Sequence, residues 1–501
     1  MSSKHPTTTR KPRPRVISLR RQAKLFTLLL VILFNLGTHP LALAQNEHDL
    51  PSLGDATSGL ISLQEEKLLG SAWLRALRGQ IQTFDDPLVE DYFSSLIYRL
   101  AANSEVTNKN LELIIIDSPE LNAFAVPGGV VGINTGLFLH ASTEQEFASV
   151  LAHELAHLSQ RHFARRLEQQ QQELPLRLAG ILASIVIGAT VGSDAGMAAL
   201  ATTQAASIQS QLSYSRQNEQ EADRLGIQTL YLAGLDPRAM PTMFEEMQRS
   251  TRLYGGQPPE YLSTHPVTES RISDSRNRAE QYQNRRYADD IEYHLMRTRV
   301  VLYNKKREAN AIDFFSNALS QGQTSNTVAT RYGLALAYIQ DKQGQKGAAI
   351  LDELLKEYPG RITFMVSYAQ ALITENRDSE ALVFLQNQLS LNPDNYPLLW
   401  TLGLEQIKTE NYSGAIKALQ KLSYRHPSNP SIWYKLSEAY GKIGEIVRVH
   451  QSLAEYYLLT GELDKAIIQL QQAQRKSVSE AQIAAIQKRM ADIFQLKKIK
   501  F

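Results

Sequence analysis

An interval of 34 residues recurs through the last third of this chain. Pro359, Pro393 and Pro427 keep it, as do Gly347, Ala381 and Ala415, and again Leu351, Leu385 and Leu419. A single globular core imposes no such period; stacked copies of one supersecondary unit do. The small residue lets two helices of a pair approach closely, the leucine fills the groove between them, and the proline ends the second helix. Ala311 and Phe315 mark an earlier, degenerate copy. Ala466, Leu470 and Ala473 mark a later one, out of phase by an extra helical stretch. The expectation is an α-solenoid over residues 295–501.

Upstream the period is lost, and 501 residues leave room for a second core. From 62 to 102, apolar residues recur three and four apart: Val89, Tyr92, Phe93, Leu96, Ile97 and Leu100 belong to one helical face. Residues 111–116, 123–126 and 129–134 read as three strands punctuated by glycines and Pro127. Ser142 or Thr143 then caps a long helix, with Glu146 placed to complete a capping box from Thr143. A second helix covers 218–235, and a polar stretch at 281–286 closes the domain near 285. The uncharged, glycine-broken run within 176–206 is too short to be read as a membrane span. It fits either a buried helical hairpin or a lid that makes peripheral contact with a membrane.

Basic residues gather at the N-terminus: Arg10, Lys11, Arg13, Arg15, Arg20, Arg21 and Lys24 precede an apolar run over 25–36. Ala42, Leu43 and Ala44 form an A-x-A site, so residues 1–44 read as a cleavable export signal and 45–60 as a polar leader. The competing reading, a retained anchor, needs about 20 apolar residues. The whole chain carries a formal charge of only +2, which points to no nucleic-acid partner. With no cysteine, disulfides, cysteine nucleophiles, thiolate metal sites and a lipoprotein anchor are excluded. A metal here must be held by histidines and carboxylates.

His153, Glu154, Leu155, Ala156 and His157 spell H-E-x-x-H. On a helix, positions four apart share a face, so His153 and His157 can bind one ion. Glu154, rotated by about 100°, stands beside that ion, where it can take a proton from metal-bound water. Catalytic zinc keeps three protein ligands and one open position, so a third ligand is required. Glu219 and Asp223 lie four apart downstream. Glu219 is assigned to the metal, and Asp223 to the free ring N–H of a ligand histidine. Glu221, on a different face, is the competitor for the third position.

H-E-x-x-H followed some sixty residues later by E-x-x-A-D resembles the M48 family of metallopeptidases. Asn122 to Gly129, reading N-A-F-A-V-P-G-G, is similar to a segment ahead of that family's active-site helix. Thr264, His265 and Pro266, with Arg271 and Ile272, are similar to its T-H-P…R-I signature. The repeats resemble tetratricopeptide repeats. The resemblance implies an α+β, mostly helical fold: a zincin-like metallopeptidase domain with a small sheet over 61–285, followed by the solenoid. It implies zinc, one ion per chain. The full layout is similar to soluble periplasmic members of Gram-negative bacteria. It implies substrates among unfolded or misassembled outer-membrane proteins, with the repeats docking on the outer-membrane barrel-assembly machinery. A reading from another class makes the repeats the main business, as a chaperone or scaffold for assembly with little proteolysis.

His265 precedes a proline and so sits on an extended segment. It fits three roles: donor to a developing oxyanion, fourth metal ligand that keeps the resting site closed, or a plain structural residue. The strand from Asn122 to Val126 can pair with an extended substrate.

Overall fold

A computed structural model describes residues 62–169, 215–253, 259–305 and 310–498. The export signal, the polar leader and the 176–206 segment lie outside the described residues. No described helix is long and apolar enough to cross a membrane.

Two helices open the described chain. Ser62 caps α1 (Leu63–Arg78) in a reciprocal capping box with Glu65, and Asp86 caps α2 (Pro87–Ala102), whose proline sits where no N–H is needed. A three-stranded sheet follows, with β1 (Glu112–Ile116), β2 (Ala123–Val126) and β3 (Val130–Asn134) in the order β1-β3-β2. The three strands expected from the sequence are present. β3 is buried along its whole length, parallel to β1 and antiparallel to β2, which leaves β2 at an edge. Gly128 and Gly129 make the β2–β3 turn with φ of +85° and +84°, a conformation that side chains resist.

A short helix α3 (Gly136–His140) leads to α4 (Glu144–Ser159). Thr143 caps α4 by accepting from the Glu146 N–H. The Glu146 carboxylate accepts from the N–H of Ser142, one residue before the expected box partner. Beyond it lie α5 (His162–Gln169), α6 (Arg216–Leu232), α7 (Ala239–Leu253), α8 (Glu260–Thr264), α9 (Glu269–Ala279) and α10 (Ile291–Lys305).

The repeats then run as α11 (Ala311–Ser320), α12 (Thr327–Gln340), α13 (Gly344–Glu357), α14 (Ile362–Thr374), α15 (Asp378–Leu391), α16 (Tyr396–Lys408), α17 (Tyr412–Arg425), α18 (Pro430–Lys442), α19 (Ile446–Leu459), α20 (Leu463–Lys476) and α21 (Glu480–Lys498). Leu351, Leu385 and Leu419 fall at equivalent places on α13, α15 and α17 and are fully buried. Pro359, Pro393 and Pro427 each follow the residue that caps those helices. Two helices, α18 and α19, stand between the copy on α17 and the one on α20, which accounts for the lost phase.

One apolar core runs from Phe84 through Phe147 and Tyr293 to Leu351, Leu385 and Leu402. Helix α10 is its bridge. Tyr293 packs on Phe138 and Phe147 and donates its hydroxyl to the Ala141 carbonyl at 2.8 Å. Arg299, two turns on, pairs with Asp86 of the α2 cap and donates to the Tyr332 hydroxyl of α12. The array also returns to the start of the described chain. Tyr396 donates to Glu90 on α2 at 2.9 Å, and Ser428 to Glu112 on β1 at 3.2 Å.

Candidate metal centre

Three elements bring their polar side chains to one buried point. Helix α4 supplies His153, Glu154 and His157, each at most 3% exposed. Helix α6, capped by Ser215, supplies Glu219 from its first turn and Asp223 one turn later. His265 ends α8 and faces both helices. The two long helices touch through Gly226: a Cβ there would lie 3.2 Å from the His153 backbone nitrogen and 2.7 Å from Met240 Cε.

One donor atom from each of His153, His157, Glu219 and His265 lies within 4.8 Å of the others. His153 Nε2 is 3.0 Å from His157 Nε2 and 3.4 Å from His265 Nδ1. Glu219 Oε1 is 3.4 Å from His157 Nε2 and 3.1 Å from His265 Nδ1. Tetrahedral zinc with bonds near 2.0–2.1 Å holds its ligand atoms about 3.3 Å apart. The donor set therefore fits one such ion. Its charge fits as well, because Glu219 and Asp223 are buried as anions against the single guanidinium of Arg271.

The environment sharpens each group. Desolvation pushes Glu219 up, but His265, together with hydrogen bonds from His153 and His157, holds it well below the usual carboxylate range. Desolvation likewise works against a charge on His153, yet hydrogen bonds to Asp223 and Glu219 carry it to about 9. Burial drives His157 well below an ordinary histidine. Burial raises Glu154, with His265 and His153 opposing.

A second layer orients the first. His153 Nδ1 faces Asp223 Oδ1 at 3.0 Å. His157 Nδ1 faces His162 Nδ1 at 2.8 Å, and His162 Nε2 reaches Glu221 at 3.0 Å. Glu221, the competitor for the third position, is thus turned away from the cluster; His162 and Arg165 hold its carboxyl down to about 2. Tyr261 stacks on His265 with ring centroids 4.8 Å apart. His162, Arg271 and Tyr261 carried no assigned role in the sequence. The sequence signals were the place of Arg271 in the T-H-P…R-I signature and the nearness of His162, five residues past His157, at the start of the next helix.

The model of peptidase family M48 matches residues 87–279. Over 483 residues the chain is 32% identical to the β-barrel assembly-enhancing protease of Escherichia coli K12, covering 96% of this chain and 98% of that one. The protein of the same name from Yersinia pestis is 33% identical over 444 residues, 88% of this chain and 91% of its own length. The chain belongs to peptidase family M48. A mitochondrial metalloendopeptidase of Arabidopsis thaliana is 32% identical over 190 residues, 38% of this chain and 36% of the relative. This M48 chain is accordingly a metalloendopeptidase that requires a divalent metal, and it carries a helical-repeat array behind the peptidase fold.

Proposed function

We propose that this chain is a zinc-dependent endopeptidase of the Gram-negative periplasm that degrades misfolded or misassembled outer-membrane proteins. Its repeats dock the substrate or the barrel-assembly machinery and assist assembly. The observation that carries the chemistry is the convergence of His153, His157 and Glu219 within 4.8 Å, with Glu154 beside them. The compartment and the substrate class rest on the export signal in the sequence and on similarity to assembly-enhancing proteases along nearly the whole chain.

His153, His157 and Glu219 would hold one zinc ion. When bound, zinc supplies a Lewis acid for the peptide carbonyl and acidifies water toward a pKa of about 7. Glu154 accepts the proton of the attacking water and delivers it to the leaving amine. A carboxyl raised by burial is well matched to that two-way transfer. Asp223, 3.0 Å from His153 Nδ1, would orient that ring so that Nε2 is free for the metal. The edge strand β2 offers backbone to an extended segment, which restricts cleavage to chains that can be drawn out straight. His265 Nδ1 is 3.4 Å from His153 Nε2, and its Nε2 is 3.7 Å from Glu154, within reach of an ion held by the other three. That position supports its reading as a gate over the resting site.

The test pairs metal content with turnover. Wild-type protein should hold about one zinc per chain, and His153→Ala or Glu219→Ala should lose it. Glu154→Gln should retain metal and fold but lose at least ~10²-fold in hydrolysis of an unfolded outer-membrane protein. Full zinc occupancy in His153→Ala would refute the centre. A Glu154→Gln chain that fully rescued a deletion strain would favour the scaffold reading.

A further inference from the structure

Arg271 is almost fully buried on α9 and is not one of the four residues whose donor atoms converge. All of its nitrogens are engaged. Nε and Nη2 form a two-pronged pair with Asp223 at 2.8 and 2.7 Å. Nη1 lies 2.7 Å from Glu219 Oε2, the oxygen of that carboxylate other than the one nearest His157 and His265. The same Nη1 donates to the backbone carbonyl of Pro266, the residue after His265, at 2.7 Å. The Phe244 ring on α7 packs 4.9 Å from the guanidinium carbon. One planar cation therefore touches the third ligand, the residue that orients His153, and the backbone that carries His265.

We propose that Arg271 is the positioning residue of this centre: it locks Glu219 in its metal-facing rotamer and sets the His265 segment from the same guanidinium. A carboxylate free to rotate about two bonds holds an ion poorly. The ion pair at Oε2 draws that oxygen toward the guanidinium, and Oε1 is the oxygen that faces His157 and His265 before any metal arrives. The fork is needed as well as the charge. Lysine presents one point charge on a flexible stem and cannot serve Asp223 through two atoms while also reaching Glu219 and the Pro266 carbonyl. The link also joins the two sides of the centre. Any movement that carries His265 away must act on a carbonyl tied to the group that holds Glu219.

This inference rests on the metal-centre reading, so the experiment reads both. Full-length wild type and Arg271→Lys are stripped of metal, melted, and titrated with Zn²⁺ against a chromophoric chelator. Arg271→Lys should keep its metal-free melting temperature within a few degrees while its zinc affinity falls on the order of 10–100-fold. Amide exchange at His265, Val267 and Thr268 should rise in the variant. Arg271→Ala, which leaves two buried carboxylates without a cation, serves only to show a larger loss if it folds. Wild type that takes up no zinc sinks the metal centre itself. Wild-type zinc affinity in Arg271→Lys, with or without a lowered melting temperature, reduces Arg271 to a buried ion pair and overturns the inference alone. A Lys variant that does not fold at all overturns it too, because a positioning role does not require the fork for folding.

Discussion

At the residue scale the centre is built from pairs of groups in which one side chain chooses the orientation of another. Asp223 does so for His153, His162 for His157, and Arg271 for Glu219. His265 differs, because its partners lie on both sides: Glu219 at Nδ1 and Glu154 at Nε2. Under the proposed mechanism, a ring in that place would close the fourth position and crowd Glu154. His265→Ala should therefore raise basal cleavage of an unfolded substrate and promote self-cleavage on storage. The opposing role, donation to an oxyanion, predicts a fall of roughly 10²-fold. A rate assay with purified chains decides, and a fall in basal rate rules out the gate.

At the element scale the distance between α4 and α6 decides whether ligands from both can meet. Gly226 sets it. Alanine there would gain about 0.5–1 kcal/mol of helix propensity. It would also place a methyl group 3.2 Å from the His153 backbone nitrogen, which cannot yield, and overpacking of this kind costs about 1–3 kcal/mol. The second effect is the larger, so Gly226→Ala should melt lower and bind zinc more weakly. An unchanged or higher melting temperature with full affinity would show that the helices have room to spare. A second contact between elements is tuned by pH. Burial, reinforced by Asp85, pushes the Glu90 carboxyl on α2 up to about 8, against about 4.3 in an unfolded chain. The folded state keeps the proton across that interval while the unfolded chain releases it. Stability from neutral Glu90, which accepts from Tyr396, is thus full below about 4.3 and lost as pH rises through about 8. Glu90→Gln should match wild type near pH 5 and melt roughly 5 °C higher at pH 9. A difference that does not grow with pH would contradict the sign.

At the scale of the whole molecule, peptidase and repeats are joined by a shared core as well as by chain connectivity. Tyr293, Leu295, Met296 and Val300 of α10 are fully buried. At ~1.5–3 kcal/mol each, their burial is worth about 6–12 kcal/mol, which is comparable to the whole stability of a domain. We therefore propose that the working boundary lies after α10. A chain ending at residue 305 should fold, bind zinc and cleave short unfolded peptides, while losing activity on a full-length outer-membrane protein. One ending at 285 should be insoluble or hold no metal. Equal zinc binding by both truncations would show that α10 belongs to the repeats alone.

The sequence by itself determined what repeats locally. A 34-residue period states the helix pair, its close contact and its end, because each is fixed by residues within one turn or one pair. H-E-x-x-H states that two histidines share one face with a carboxylate beside them, because a helix makes positions four apart neighbours wherever it lies. The three strands were legible from short apolar runs punctuated by glycines and Pro127. What crosses between elements was not legible. That His162 would stand behind His157, that Glu221 would serve His162 rather than the metal, and that Arg271 would hold Glu219 depend on how α5, α6 and α9 pack around α4. No spacing along the chain encodes that. The same is true of the seam between Tyr396 and Glu90, 306 residues apart in sequence. Contacts within an element follow from its geometry alone, whereas contacts between elements are decided by the packing of the shared core, and only the tertiary structure contains it.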